Sequence, residues 1–517
     1  MAARKEGIDK KNKMATPEAT SNYFKKLQDK NFNSSAIRQF GNTGWSVSQV
    51  GFGGYRVHNS SEQHAAALNH AFLNGINLID TSSNYTDGGS ELLIGKTLQE
   101  LSAIKQISRD EVVVVSKVGY VQGQNLNLVQ DRESGGNPFP DMVKYMDGCW
   151  HCIHPDFLQD QLRLSLSRLQ LDHLDAYLLH NPEYFLSDAR KKAELDLRAA
   201  REEYYRRIKL AFEWMEQKVA EGKIQYYGIS SNTFPNSSQD FEFTSLEKVY
   251  DIANEISSGH HFQVIQFPFN LYETGACLTL NQVSDKLSLL DFASENQLAT
   301  LVNRPLNAMA KDSMVRLASF RETDPNIIRE QFEVHLQELQ EVESVFTTEI
   351  IEKLLGEISK ESLEKVFLIS GQLKFSMESF QSWSQWDHVK ENILIPQIAS
   401  YINYINKKLK ADTAWQNWSK KYMQIVRKLC EVITLHYENQ VAVHSNEISG
   451  KLSTLCPDLT NSSTLSQKTL RILSSTGGVD CVLLGMRKMK YVADALDTFA
   501  SGKIENANQI LGDLQLG

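Results

Sequence analysis

VVVVSKV, residues 112–118, is a row of four valines that ends on Ser116 and Lys117. A short run this rich in β-branched residues, apolar on both faces, reads as a strand buried inside a parallel sheet. Seven more runs share its character: VSQVGFGG (47–54), INLIDTS (76–82), LDAYLLH (174–180), IQYYGISS (224–231), FQVIQFP (262–268), LATLVNRP (298–305) and VDCVLLGM (479–486). Helical patterns fill the gaps, among them SEQHAAALNHAFLNG (61–75), PDFLQDQLRLSLSRL (155–169) and YYRRIKLAFEWMEQKVAEGK (204–223). Strict strand–helix alternation implies an α/β fold with a parallel sheet, and eight units predict a closed (β/α)8 TIM barrel. Sites in such barrels lie at the C-terminal strand ends. Asp80, Lys117, His180, Ser231, Asn232, Gln266 and Arg304 all fall there.

The chain has 517 residues, whereas a barrel of this type needs ~250. The surplus falls mainly before the eighth run. Residues 1–34 read as a flexible N-terminal tail, 35–306 with 463–517 as the barrel, and 307–462 as a large helical insertion between strands seven and eight. AIRQFGNTGWS (36–46) reads as a hairpin that plugs the barrel bottom. In the insertion, Asp324-Pro325 has the form of a helix start. Ile328, Phe332, Leu336, Leu339, Val342 and Phe346 then recur every three or four residues, and Trp415, Trp418, Tyr422, Ile425, Leu429 and Val432 form a second stripe. Two such stripes predict helices packed on each other.

A net charge of −9 argues against a nucleic-acid partner. No run is long and apolar enough to span a membrane, and the N-terminus lacks the apolar core of a secretory signal. Six scattered cysteines suit a reducing compartment, so a cytoplasmic location is expected. The cluster Cys149-Trp-His151-Cys152-Ile-His154 lacks a second ligand knuckle and reads as a loop before a helix, so no metal is assigned.

Eight motifs in order, one per strand, resemble the aldo-keto reductase family: Gly51-Phe-Gly-Gly54, Leu78-Ile-Asp80 through Tyr85, Val115-Ser-Lys117, Asp175 through His180-Asn-Pro, Gly228-Ile-Ser-Ser-Asn232, Gln266, Arg304-Pro-Leu and Gly485-Met-Arg487. The resemblance covers roughly 37–306 and 463–505, and the insertion has no counterpart in it. It implies hydride transfer between a nicotinamide cofactor and a small carbonyl or alcohol, such as an aldehyde, ketone or sugar lactol. Tyr85 matches the general acid, Lys117 the cation that lowers the phenol's pKa, Asp80 the partner of that lysine, and His180 the group that orients the substrate oxygen. Ser231, Asn232 and Gln266 match the nicotinamide contacts, with Ser230 as the alternative to Ser231. Gly54, Arg304 and Gly485 match backbone and phosphate contacts. Arg487 matches the grip on the adenosine 2′-phosphate, so NADPH is the expected cofactor, with NADH as the other one it admits. Asn303 stands where the family often places a stacking aromatic. A second reading stays open: a cofactor-binding regulatory protein whose helical insertion binds a partner, as in potassium-channel β subunits. In either reading the insertion is the place for a protein partner or for self-association.

Overall fold

The computed structural model describes residues 13–310, 313–355, 358–409, 412–514 and 516. Eight parallel strands form a closed barrel in chain order: β1 (Val50–Gly53), β2 (Leu78–Asp80), β3 (Val113–Val118), β4 (Leu174–His180), β5 (Ile224–Ser230), β6 (Phe262–Pro268), β7 (Ala299–Asn303) and β8 (Cys481–Leu484). The seam closes where β8 pairs with β7 through Leu301 and Cys481, and with β1 through Val482 and Val50. Helices on the outside include Glu62–Leu73, Gly89–Ala103, Pro155–Leu169, Leu197–Ala220 and Met489–Leu496. All seven residues of β4 are buried, as sheet packed on both faces requires.

The strands Ile37–Gln39 and Ser46–Ser48 pair as an antiparallel hairpin. Its Phe40 and Trp45 share one apolar cluster with Leu78, Val113, Ala176 and Leu301 from the barrel interior. At this same end Asp175 is buried and fully engaged. It accepts from Ala15 N at 2.7 Å, Val114 N at 2.7 Å and Arg109 Nη2 at 2.8 Å.

Two stretches differ from the sequence reading. The expected tail contains helix α1 (Pro17–Lys25), capped by Thr16, with Tyr23 and Phe24 buried and the Tyr23 hydroxyl donating to Phe72 O at 2.6 Å. Thr16-Pro17-Glu18 is a helix start, and the aromatic pair gives it an apolar face to bury. Residues 1–12 lie outside the described residues. Residues 307–316, assigned to the helical insertion, instead form an antiparallel hairpin of Asn307–Ala310 with Ser313–Arg316. Cross-strand pairing, from Asn307 with Arg316 to Ala310 with Ser313, satisfies the backbone of the two arms.

Two compact units result: residues 1–317 with 451–517, and residues 318–450. Within 318–450 the long helices are α2 (Pro325–Val345), α3 (Ile395–Lys408) and α4, which runs from Thr413 to Leu455. Both sequence stripes enter one apolar cluster. Trp418 stacks on Tyr422 at 4.7 Å and on Trp415 at 5.4 Å between ring centroids, and its Nε1 donates to Val342 O at 2.8 Å. Among the described residues no helix is long and apolar enough to cross a membrane.

Candidate active site

A polar chain crosses the C-terminal end of the barrel. Asp80 ends β2 and Lys117 lies near the end of β3; both are buried, and the Lys117 ammonium donates to Asp80 Oδ1. Gln266 on β6 donates from Nε2 to the same oxygen at 2.8 Å. Ser230, the last residue of β5, donates to Gln266 Oε1 at 3.0 Å. Four strands are thus tied by one chain of charge-assisted and neutral hydrogen bonds, in a setting where an unpaired polar group would be costly.

Tyr85 lies over this chain. Its ring centroid is 5.0 Å from Lys117 Nζ and 5.8 Å from the His180 ring, which it meets edge to face. The turn that carries it is strained: Thr86 and Asp87 have φ of 50° and 56°, left-handed values that a β-branched threonine seldom adopts. His180, at the end of β4, shares a 3.0 Å hydrogen bond with Ser82 Oγ through Nδ1. Its backbone carbonyl is 2.8 Å from His151 Nε2.

Burial dominates the electrostatics. It raises the Tyr85 phenol well above its ordinary value, and the Asp80 carboxylate and then Tyr55 add to that rise. This corrects the expectation that Lys117 lowers the phenol's pKa. The ammonium is spent on Asp80 and sits over the ring face. Burial also lowers Lys117 against the opposing pull of Asp80. His180 is held well below its ordinary value by burial first, then by the Lys117 charge and by His151. Both shifts favour the uncharged forms, a protonated phenol and a neutral imidazole.

The remaining residues divide. Ser230, not Ser231, joins the polar chain; the Ser231 hydroxyl instead meets Thr233 and Thr244, each at 3.2 Å. The backbone N–H of Asn232 is held at 2.7 Å by Glu183 Oε1. Glu183 is buried, its Oε2 has no hydrogen-bond partner, and burial raises its carboxyl to about 7. Arg304, at φ 53°, donates from Nη2 to Glu273 at 2.8 Å, while its Nε is buried without a partner. Gly54 is fixed by packing: a Cβ there would lie 2.6 Å from Ser90 Oγ. Gly485 is different. It is exposed, and a Cβ would meet nothing within 4 Å. Arg487 is half-buried after β8, near His64, whose imidazole is lowered by burial first and by the Arg487 charge second. The Asn303 amide oxygen at the end of β7 is buried without a partner. An open glycine, a nearby guanidinium and an orphaned amide oxygen fit a flat polar ligand that carries phosphate.

Sequence reading missed the aromatic surround. Tyr55 is exposed and lies 5.3 Å from the Tyr85 ring; Tyr120 lies 4.7 Å from His180, and its hydroxyl accepts from Asn181 Nδ2 at 2.7 Å. Each follows the end of a barrel strand, which is the signal that could have found it. The Cys149–His151 segment is a strand paired with Tyr120–Val121, and His154 caps the next helix, accepting from Asp156 N. Among the described residues no three His, Cys, Asp or Glu side chains are grouped to hold a metal.

The family model described as the aldo/keto reductase family matches residues 49–346. The chain is 33% identical over 109 residues to the NADH-specific methylglyoxal reductase of Escherichia coli (strain K12), covering 20% of this chain and 27% of that protein. It is 30% identical over 154 residues to L-galactose dehydrogenase of Arabidopsis thaliana, covering 29% and 39%. The chain therefore spans well under half the length of these curated relatives. The solved glycerol dehydrogenase of Gluconobacter oxydans is 15% identical, with a TM-score of 0.46 and coverage of 93% of this chain and 95% of that one.

Proposed function

The chain belongs to the aldo/keto reductase family, and we propose that it is an NADPH-preferring oxidoreductase that interconverts a small carbonyl and its alcohol. The observation that carries this reading is the buried Lys117–Asp80 pair beneath the Tyr85 ring, with a neutral His180 beside it. Ser230, Asn232 and Gln266 would hold the nicotinamide amide, and Gly485 and Arg487 the phosphate-bearing end. A nicotinamide held there would supply or accept hydride at the substrate carbon.

The protein's own residues manage the proton. The Tyr85 hydroxyl donates to the substrate oxygen as negative charge builds on it. Its raised pKa keeps that proton in place until then, and the alkoxide that develops is basic enough to take it. Lys117, which Asp80 holds 5.0 Å from the Tyr85 ring centroid, would offset part of the cost that burial and the Asp80 carboxylate place on the phenolate. His180 would donate from Nε2 to the same oxygen once the Ser82 proton turns from Asn84 Oδ1 to His180 Nδ1. Tyr55 and Tyr120 offer aromatic walls, which suits a small substrate with an apolar flank. Residues 318–450 act in this reading as a module inserted in sequence within the barrel unit of 1–317 and 451–517.

The test is stopped-flow oxidation of bound NADPH against a panel of aldehydes, ketones and lactols. Rapid multiple turnover with one of them is the expected result. A single slow turnover with every compound would overturn the enzyme reading in favour of a cofactor-bound regulatory protein, the reading that Asn303 favours by standing in place of a stacking aromatic.

A further inference from the structure

The helical unit of residues 318–450 carries an open groove of about 1030 Å³ between α3 and α4. Ala399, Ile402 and Asn406 line it from α3, and Met423, Arg427 and Lys428 from α4. These positions recur at three and four residues, so each helix presents one continuous face. The α4 face runs from Gln416 to Glu431, a length of about 22 Å at the helical rise. That is the size of a four-turn helix.

The groove is basic in an acidic protein. Its lining carries Lys420, Arg427 and Lys428 against the single carboxylate of Glu431, although the whole chain has a net charge of −9. Lys420, Arg427 and Lys428 are exposed, and none forms a salt bridge among the described residues. Like charges held this close repel one another, and an acidic occupant would relieve that repulsion.

The complementary surface is on the same chain. Residues 324–345, which include α2, contain six Asp and Glu against one Arg. The inner face of α2 is consumed by the unit's core. On its outer face Ile327, Val334 and Val345 are 46%, 49% and 39% exposed. Steps of seven and eleven residues return to nearly the same direction on a helix turning ~100° per residue, so the three form one line. Glu330, Glu338 and Glu341 fall within about 60° of that line by the same turn angle. Glu330 makes no ion pair among the described residues. An apolar ridge flanked by carboxylates is therefore available, about 27 Å long at the helical rise, enough to run the length of the groove, and opposite to it in charge.

We propose that the groove between α3 and α4 receives the outer face of α2 from a second copy of this chain. Ile327, Val334 and Val345 would lie on Ile402 and Met423, with Glu330 and Glu341 against Arg427 and Lys428. This is the helix-in-groove mode of recognition, with charge setting partner and register.

The experiment is sedimentation velocity on the full-length chain at low ionic strength, over a concentration series. Concentration-dependent association is expected, weakened by added salt because the flanking pairs are exposed. The double variant Arg427→Glu/Lys428→Glu should associate at least ~10-fold more weakly, since juxtaposed like charges oppose docking. Glu330→Lys/Glu341→Lys should do the same. An equimolar mixture of the two variants should regain association, because each supplies the surface that the other's reversed charges now fit. Circular dichroism confirms that both variants remain folded. A wild-type chain that stays monomeric throughout overturns the proposal and leaves an acidic helix from another protein as the groove's occupant. A mixture no stronger than its separate components also overturns it.

Discussion

The barrel end and the helical unit both bury carboxylates among aromatic rings, yet they treat them differently. In the helical unit Glu343 is buried, and burial raises its carboxyl. Both its oxygens are satisfied: Oε1 accepts from Ile369 N at 2.7 Å and Ser370 N at 2.8 Å, and Oε2 accepts from the Ser370 hydroxyl. At the barrel end Asp80 is shared between an ammonium and an amide, Glu183 keeps one bare oxygen, and Asn303 keeps another. A shifted carboxyl occurs in both regions, so the shift alone does not mark a site. Orphaned buried atoms occur elsewhere too, at Arg109 and Trp383 among others, so what marks the candidate site is the Lys117–Asp80 pair with the Tyr85 and His180 rings gathered over it.

Four experiments would break or sharpen that contrast. The largest effect is expected from Tyr85→Phe, which keeps the ring and removes the proton. Steady-state turnover should fall by at least ~10²–10⁴-fold, the usual worth of general acid catalysis, with cofactor binding retained by fluorescence titration. Turnover within a few-fold of wild type would remove Tyr85 from the chemistry. Next is Trp418→Ala in the helical core. Loss of a buried indole typically costs ~3–5 kcal/mol. Calorimetry should show one unfolding transition moving down while NADPH oxidation at 25 °C persists. Transitions that move together would mean that the two units do not unfold independently.

Glu183→Gln comes third, through pH. The folded carboxyl sits at about 7 against an ordinary 4.5, so the folded state holds the proton more tightly than the unfolded chain. That contribution is complete below the unfolded value and is lost as pH rises through about 7. Wild-type stability should therefore decline between these limits, and the variant should lack that part of the decline, on the order of 3 kcal/mol. Urea midpoints at pH 4.5 and pH 8 measure it. Equal declines in both proteins would mean that the Glu183 proton is not held this way. The smallest effect is expected from Arg487→Ala. NADPH affinity should drop by the ~1.5–3 kcal/mol of a charged hydrogen bond, with NADH nearly unaffected. Equal losses for the two cofactors would show that Arg487 does not read the 2′-phosphate.

The barrel was legible because its signal is local. LDAYLLH and FQVIQFP coincide residue for residue with β4 and β6, since a strand buried on both faces must be apolar along its length. The positions of Asp80, Lys117 and His180 follow from those strand ends. What stayed hidden depends on distant residues or on a single step of register. Two adjacent serines point to opposite sides of a strand, so only the structure separates Ser230 from Ser231. The ion pair of Arg304 with Glu273, which reaches it from another loop, was equally invisible in the sequence. The expected lowering of the Tyr85 pKa assumed proximity to a cation, whereas burial and the partner of that cation decide it. The helix α1 had a readable start at Thr16-Pro17, but the surface that receives Tyr23 did not.

The seam between β7 and β8 has a consequence for how the protein is made. Residues 304–480 separate the two strands in the chain. A ribosome adding 5–20 residues per second needs on the order of ten to thirty seconds to cross that interval. Throughout it, seven strands have been synthesised, and the ring cannot close. The outer edges of β1 and β7 have backbone groups with no strand to pair with, and such edges invite wrong partners. The helical unit, being contiguous in sequence, can complete its own core in that time. In the growing chain the last-made piece of the barrel is thus a keystone, and the nascent protein depends on protection of two open edges until Cys481–Leu484 arrives.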